Sequence, residues 1–190
     1  MVNLTRIYTR TGDDGTTALG DMSRTAKTDP RLAAYADVDE TNAVIGVALA
    51  LGNLEADVVT LLTRIQNDLF DLGADLSTPV VEDPKYPPLR VEQSYVDALE
   101  NACDEYNENL DKLRSFILNG GTPGAALLHQ ARTVARRAER TTWAALEAHG
   151  ETMNPLTVKY LNRLSDLLFI LARHANREIG DVLWVPGANR

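Results

Sequence analysis

Cysteine is almost missing from the sequence: Cys103 is the only one in 190 residues, so no internal disulfide can form, which suits a reducing cytoplasm. Histidine is scarce too. His129, His149 and His174 each lack a glutamate three residues earlier, so the Glu-x-x-His pairs of a di-iron bundle are not there. These three read as surface or core-edge residues, and Cys103 as a packed helix position. The longest apolar run, Ala43 to Leu51, is too short to span a bilayer, and the N-terminus lacks the apolar core of a signal peptide. Neither a GxxxxGK[ST] phosphate loop nor a GxGxxG fingerprint occurs, so a nucleotide site would be of another kind. Basic residues are the minority, 19 against 27 acidic, and the net charge of −8 argues against a general nucleic-acid or anionic-membrane binder. No run reads as a strand.

What remains is helical. With 44% hydrophobic residues, the chain has enough apolar surface to bury one core as a single domain. Residues 6–28, RIYTRTGDDGTTALGDMSRTAKT, have neither period and concentrate Gly12, Gly15 and Gly20 among Thr and Asp, the composition of an ordered binding loop or a floppy leader. Residues 29–190 read as a helical bundle. Asp29-Pro30 caps a first helix running to about Gly52. A second, about 54 to 76, places Val58, Leu62, Ile65, Leu69, Leu72 and Leu76 at alternating spacings of four and three. The Pro-rich stretch from Thr78 to Arg90 breaks the pattern and reads as a surface loop. The third helix, about 91 to 109, carries Tyr95, Leu99, Ala102 and Tyr106 on one face; the fifth, capped by Asn154-Pro155, carries Leu161, Leu164, Leu168, Leu171 and Ala175. The expectation is an all-α five-helix bundle with neighbours near-antiparallel.

The fourth helix is the distinctive one. The turn Asn119-Gly120-Gly121 leads to Thr122-Pro123, an N-cap followed by proline at the first helical position. Arg132, Arg136 and Arg140 then recur every four residues on one face, flanked by Arg137 and Glu139. Like charges at that spacing repel by a few tenths of a kcal/mol per pair, roughly. A bound polyanion would offset the repulsion. On spacing alone, a solvated face relieved by an Arg136–Glu139 pair is the simpler account.

Five motifs in order carry a resemblance: YTRTGDDGTT, YADVDETN, FILNGG, ARTVARRAER and NRLSDLLF. Together they resemble the PduO-type ATP:cob(I)alamin adenosyltransferases over nearly the whole chain. The resemblance implies a five-helix bundle with an N-terminal Gly/Thr-rich nucleotide-binding loop, assembled as a homotrimer with sites between subunits. It implies transfer of the 5′-deoxyadenosyl group of ATP to the cobalt of cob(I)alamin, giving adenosylcobalamin and triphosphate, with Mg2+ held mainly by the triphosphate. It places Thr9, Arg10, Thr11, Gly12, Thr17, Ala18, Lys27, Arg136, Arg137, Ala138, Glu139, Arg140 and Asn162 at ATP. Arg136 and Arg140 take the catalytic charge role, because guanidinium forks match phosphate oxygens where the leaving charge accumulates. Phe116 would fill the lower axial face of cobalt, with Phe169 in the same apolar pocket; Asp39 would pair with Arg132 across the subunit boundary. A reductase and an adenosylcobalamin-dependent acceptor enzyme are the implied partners, in the cytoplasm, without nucleic acid or membrane. Three positions depart from the family's usual residues: Thr41 for Leu, Asn119 for Pro, Arg10 for Lys.

Two other classes use part of this set. A corrinoid carrier needs the apolar pocket but not the arginines; a helical nucleotide-binding regulator needs the loop and arginines but no corrinoid.

Overall fold

The longest helix sets the frame. Thr122 accepts a hydrogen bond on Oγ1 from the Ala125 N–H (3.2 Å), Pro123 takes the first helical position, and α4 runs Pro123–His149. The computed structural model describes residues 8–84 and 86–188. Preceding α4 are α1 (Pro30–Leu51), α2 (Ala56–Ser77) and α3 (Gln93–Asn107); α5 (Leu156–Ala175) follows a short 3-10 turn at Gly150–Thr152. The Asp29 carboxylate caps α1 through the Arg31 N–H at 2.8 Å, and the Asn154 side chain accepts the Leu156 N–H at 3.0 Å to start α5.

α4 packs along both α1 and α5, α2 closes on α1, and α3 on α5. The apolar stripes meet in one core. Leu62, Ile65 and Leu72 of α2, Leu99 of α3, Leu128 of α4 and Leu161, Leu164, Leu168 and Leu171 of α5 are fully buried. Each such side chain contributes about 1.5–3 kcal/mol by leaving water. Thr41 is buried on α1, where its hydroxyl donates to the Asp37 carbonyl (2.8 Å), so the departure from leucine leaves no orphaned polar atom.

Strands are present after all. β1 (Thr16–Ala18) and β2 (Arg24–Ala26) form an antiparallel hairpin with Thr17 opposite Thr25. Strands of three residues are too short to show alternation, and neither buries a face, so periodicity could not have found them. The hairpin docks on the bundle through the Gly20 N–H to the Ser77 carbonyl (2.8 Å) and the Thr25 hydroxyl to Asp29 (2.9 Å). The Pro-rich connection does run outside the core, and it is clamped. Asp75, buried on α2, accepts from Arg90 Nη1 (2.6 Å), the Val91 N–H (2.8 Å) and Asn154 Nδ2 (2.7 Å).

Candidate functional site

The turn before α4 is built around one glycine. Gly121 has φ 107°, and a Cβ there would lie 2.1 Å from Asn176 Oδ1, so only glycine fits. Asn176, just past α5, clasps the turn: it accepts the Thr122 N–H at 3.0 Å and donates to the Gly120 carbonyl at 2.9 Å. Residues 115–118 then run beside the C-terminal segment. The Leu118 N–H donates to Val182 and the Trp184 N–H to Phe116, both at 2.8 Å, and Ile117 pairs antiparallel with Leu183.

This arrangement pushes Phe116 outward. The ring is 78% exposed, an unusual position for a phenylalanine beside a packed bundle, and Trp184 meets it edge-on at 6.0 Å. A cleft of about 760 Å³ opens there, lined by Phe116, Asn119, Arg132, Phe169 and Trp184 among others. Phe116 and Phe169 line one cavity, and Arg132 stands over the Phe169 ring with its guanidinium carbon 5.9 Å from the centroid. Trp184 was missed. Its signal was the short apolar run Val182-Leu183-Trp184-Val185 after the last helix.

Arg136 and Arg140 are exposed and make no hydrogen bond or ion pair among the described residues. The expected Arg136–Glu139 relief is absent, because Glu139 instead accepts from Asn162 Nδ2 of α5 at 3.1 Å. Arg132 donates through Nη2 to Asn119 Oδ1 at 3.1 Å; burial and then the Arg136 charge lower its pKa. The neighbours on α4 are engaged elsewhere. Arg137 turns to α1, where it bonds Glu40 and lies 3.5 Å from Asp37, and the Glu40 bond raises its pKa. Ala138 is fully buried, so it offers no side chain to the surface. Two unpaired cations on an exposed stripe, beside an apolar cleft, form a surface for an anion carried by an apolar body.

The glycine-rich loop is ordered by its own polar groups. Asp14 accepts from the Thr16 N–H (2.9 Å) and hydroxyl (2.8 Å), which lowers its pKa. Arg24 donates to the Thr11 carbonyl at 2.8 Å, and Thr9 and Thr11 hydroxyls meet at 2.9 Å. Arg10 takes φ 62°, a strained backbone for a non-glycine residue. A Cβ on Gly12 would sit 3.0 Å from Lys27 Nζ, so the glycine lets that ammonium lie against the loop backbone. Thr17 and Ala18 belong to β1.

One chain does not bring the loop to the arginines. No hydrogen bond or ion pair among the described residues joins 9–28 to Arg132, Arg136 or Arg140. The loop is moored instead where Asp29 meets His149 Nε2 (2.7 Å), at the far end of α4. Arg140 lies about 13 Å back along the helix axis and half a turn around it. Asp39 and Arg132 do not meet either: Asp39 is exposed beside a groove lined by Tyr35 and Phe70, and no hydrogen bond or ion pair reaches it among the described residues.

His129 departs from its expected place. It is 2% exposed, with both ring nitrogens unpartnered, and packs 6.1 Å from Phe169; burial, then Arg132, lower its pKa. His174 sits in the interior edge against Tyr106 at 5.1 Å and pairs with Glu55. Cys103 is half-buried, and burial pushes its thiol up to about 11, which leaves it a poor nucleophile. Among the described residues no three His, Cys, Asp or Glu side chains come together as a metal cage.

Comparison with known proteins bears on this geometry. A family model described as cobalamin adenosyltransferase matches residues 7–175. The corrinoid adenosyltransferase of Mycobacterium tuberculosis is 67% identical over 189 residues, covering 100% of this chain and 97% of the relative. The cobalamin adenosyltransferase of Cupriavidus metallidurans is 49% identical over 184 residues, 95% of each chain. Among solved structures, a phenylalanine-to-alanine variant of a PduO-type ATP:corrinoid adenosyltransferase from Lactobacillus reuteri, complexed with cobalamin and ATP, superposes with a TM-score of 0.86 at 36% identity, covering 94% of this chain and 99% of that one.

Proposed function

Because the chain belongs to the cobalamin adenosyltransferase family and adenosylates cobalamin with ATP, we propose that Arg136 and Arg140 hold the triphosphate while Phe116 faces the cobalt. The observation that carries this reading is the exposed Phe116 ring at the mouth of a cleft whose polar wall, Arg132, continues along α4 into two unpaired arginines. Apolar macrocycle and polyanion therefore have adjacent seats.

Reduced cobalt attacks the 5′ carbon of ATP, and the triphosphate leaves with about four negative charges, which fixed cations stabilise as they develop. Arginine suits this task because it stays charged at any relevant pH and needs no reorganisation. Glu139 and Asn162, bonded to each other across α4 and α5, orient the nucleoside end beside the stripe. Phe116, Phe169 and Trp184 exclude water and the benzimidazole base from the lower face of the corrin. A magnesium ion bound with the triphosphate would neutralise part of its charge alongside Arg136 and Arg140.

Thr9, Arg10, Thr11, Gly12, Thr17, Ala18 and Lys27 reach the phosphates from a neighbouring subunit of a homotrimer, with Asp39 of one chain on Arg132 of the next. The separation of loop and stripe within one chain supports that arrangement. A cytoplasmic setting, a reductase as electron donor and an adenosylcobalamin-dependent acceptor complete the reading. The unpaired arginines favour an enzyme over a carrier, which has no use for them.

The test is an anaerobic assay with ATP, cobalamin and a chemical reductant, following cobalamin absorbance and the released phosphate species. Adenosylcobalamin and inorganic triphosphate should appear in equal amounts. Arg136→Ala and Arg140→Ala should each slow turnover about a hundredfold or more, the usual cost of one preorganised charge contact. Near wild-type rates in both variants remove the arginines from the mechanism.

A further inference from the structure

We infer that Trp143 is the anchor on which the nucleotide loop of a second copy of the chain settles when it reaches the arginine stripe. The inference rests on the proposed supply of that loop by a neighbouring subunit. α4 turns small side chains to the bundle, with Ala131, Ala135, Ala138, Thr142 and Ala145 all fully buried. Its largest apolar side chain points the other way: Trp143 is 53% exposed. Among the described residues it makes no ring contact, cation–π contact or side-chain hydrogen bond. An indole in that position leaves most of its potential burial unused within its own chain. Helix geometry places it on the stripe. Seven residues after Arg136, it lies within about 20° of that side chain and about 10 Å along the axis. Arg140 precedes it by three residues, on the adjoining part of the same face. Whatever covers the two arginines from outside therefore meets the indole.

The chain's own loop does not cover it. That loop is moored through Asp29 on His149, about a third of a turn around α4 from Trp143. No hydrogen bond or ring contact among the described residues joins 9–28 to Trp143. The loop of a second copy has a matching edge. Asp13 is exposed, with no ion pair or side-chain hydrogen bond among the described residues, and the Asp14 side chain stays 66% exposed beside Arg24. Gly15 follows with its backbone uncovered. Acidic side chains on this edge suit Arg136 and Arg140, and the bare backbone gives the flat indole a surface to lie on. Trp143 thus adds apolar contact to a junction otherwise made of charges, and holds the loop where Thr11 and Lys27 can meet the phosphates. The adenine base is the other flat body an exposed indole can stack on. It is disfavoured by position: the 5′ carbon must lie at the cleft, on the Arg132 side, whereas Trp143 stands at the far end of the stripe.

The variants are Trp143→Ala and Trp143→Phe. Each is measured for KM of ATP and of cobalamin, inhibition by inorganic triphosphate, thermal midpoint and mass by light scattering. Trp143→Ala should raise KM for ATP and the inhibition constant of triphosphate together, about five- to tenfold, the effect of truncating an interface aromatic. KM for cobalamin, mass and thermal midpoint should stay as in wild type, and Trp143→Phe should recover most of the loss. Trp184→Phe protein leaves Trp143 as its one tryptophan. In that protein without nucleotide, acrylamide should quench the indole several-fold less than it quenches a free one. Wild-type constants in Trp143→Ala overturn the inference, as does ready quenching in the assembled protein. A raised KM for ATP with unchanged triphosphate inhibition overturns it too, by placing adenine on the ring. So does dissociation of Trp143→Ala into single chains, which makes the ring a general interface contact. A wild-type mass of one chain instead overturns the supply of the loop by a neighbour, the reading on which the inference rests.

Discussion

Phe116 spends its exposure on something other than stability. A core phenylalanine truncated to alanine costs about 3–5 kcal/mol, but a ring 78% exposed contributes little of that by burial. Phe116→Ala should therefore melt close to wild type while opening space for water or the benzimidazole base to coordinate cobalt. Turnover should collapse when Co(II) must be reduced and recover largely with preformed Co(I). Electron paramagnetic resonance of cob(II)alamin with the variant and ATP decides the matter, and a four-coordinate signal as strong as wild type returns Phe116 to a packing role. Individual residues differed in how well the sequence announced them. The arginine stripe was legible from spacing, because helical periodicity places i and i+4 on one face. The commitments of Arg137 to Asp37 and Glu40, and of Glu139 to Asn162, were not, since partners 23 to 100 positions away leave no local pattern. His129 was misjudged for the same reason: scarcity says nothing about burial, and a neutral imidazole behind Phe169 costs less than a charged one.

Among the elements, α2, α3 and α5 were readable because each carries an apolar stripe, and α1 and α4 because caps such as Asp29-Pro30 and Thr122-Pro123 are local chemistry. The hairpin was unreadable, since its order comes from Asp14, Arg24 and the mooring at Asp29 rather than from an apolar face. That mooring has a pH signature. Burial alone would raise the Asp29 pKa, but the Arg31 N–H, the Thr25 hydroxyl and His149 outweigh it and hold the carboxyl below its usual value of 3.8. A group depressed in the folded state stabilises above its unfolded pKa and loses that contribution as pH falls through the folded one. Acid from about pH 4 downward should thus weaken the joint of α1, α4 and the hairpin. Asn at position 29 keeps the cap acceptor but has no proton to take up. Urea midpoints for wild type and Asp29→Asn at pH 7 and pH 3 should show wild type ahead at pH 7 and the gap narrowing at pH 3. A gap that stays constant across this range removes the charge of Asp29 from the account.

At the scale of the whole molecule, a single chain keeps the two halves of the proposed ATP site apart. The Gly/Thr loop is moored by Asp29 and His149 at one end of α4, whereas Arg136 and Arg140 project from the middle of that helix on another face. If the proposed site joins the loop to the unpaired arginines, a second copy must complete it, and closed rings of identical subunits supply such a head-to-tail contact. Complementation tests the arrangement directly. Gly12→Val disables the loop, because even a Cβ there lies 3.0 Å from both Lys27 Nζ and the Thr16 carbonyl oxygen. Arg136→Ala disables the stripe and leaves the loop untouched. Each variant alone should be nearly inactive. Coexpressed in equal amounts with different tags and purified through both, they form mixed assemblies in which some interfaces join an intact loop to an intact stripe. In a head-to-tail trimer that contains both variants, one interface in three has that combination, so roughly a third of wild-type activity should return. If loop and stripe of the same chain formed the site, every chain would carry one lesion and mixing would restore nothing. Light scattering on the same samples fixes the stoichiometry. Inactive mixed assemblies, or a mass of one chain, would send the loop back to its own subunit.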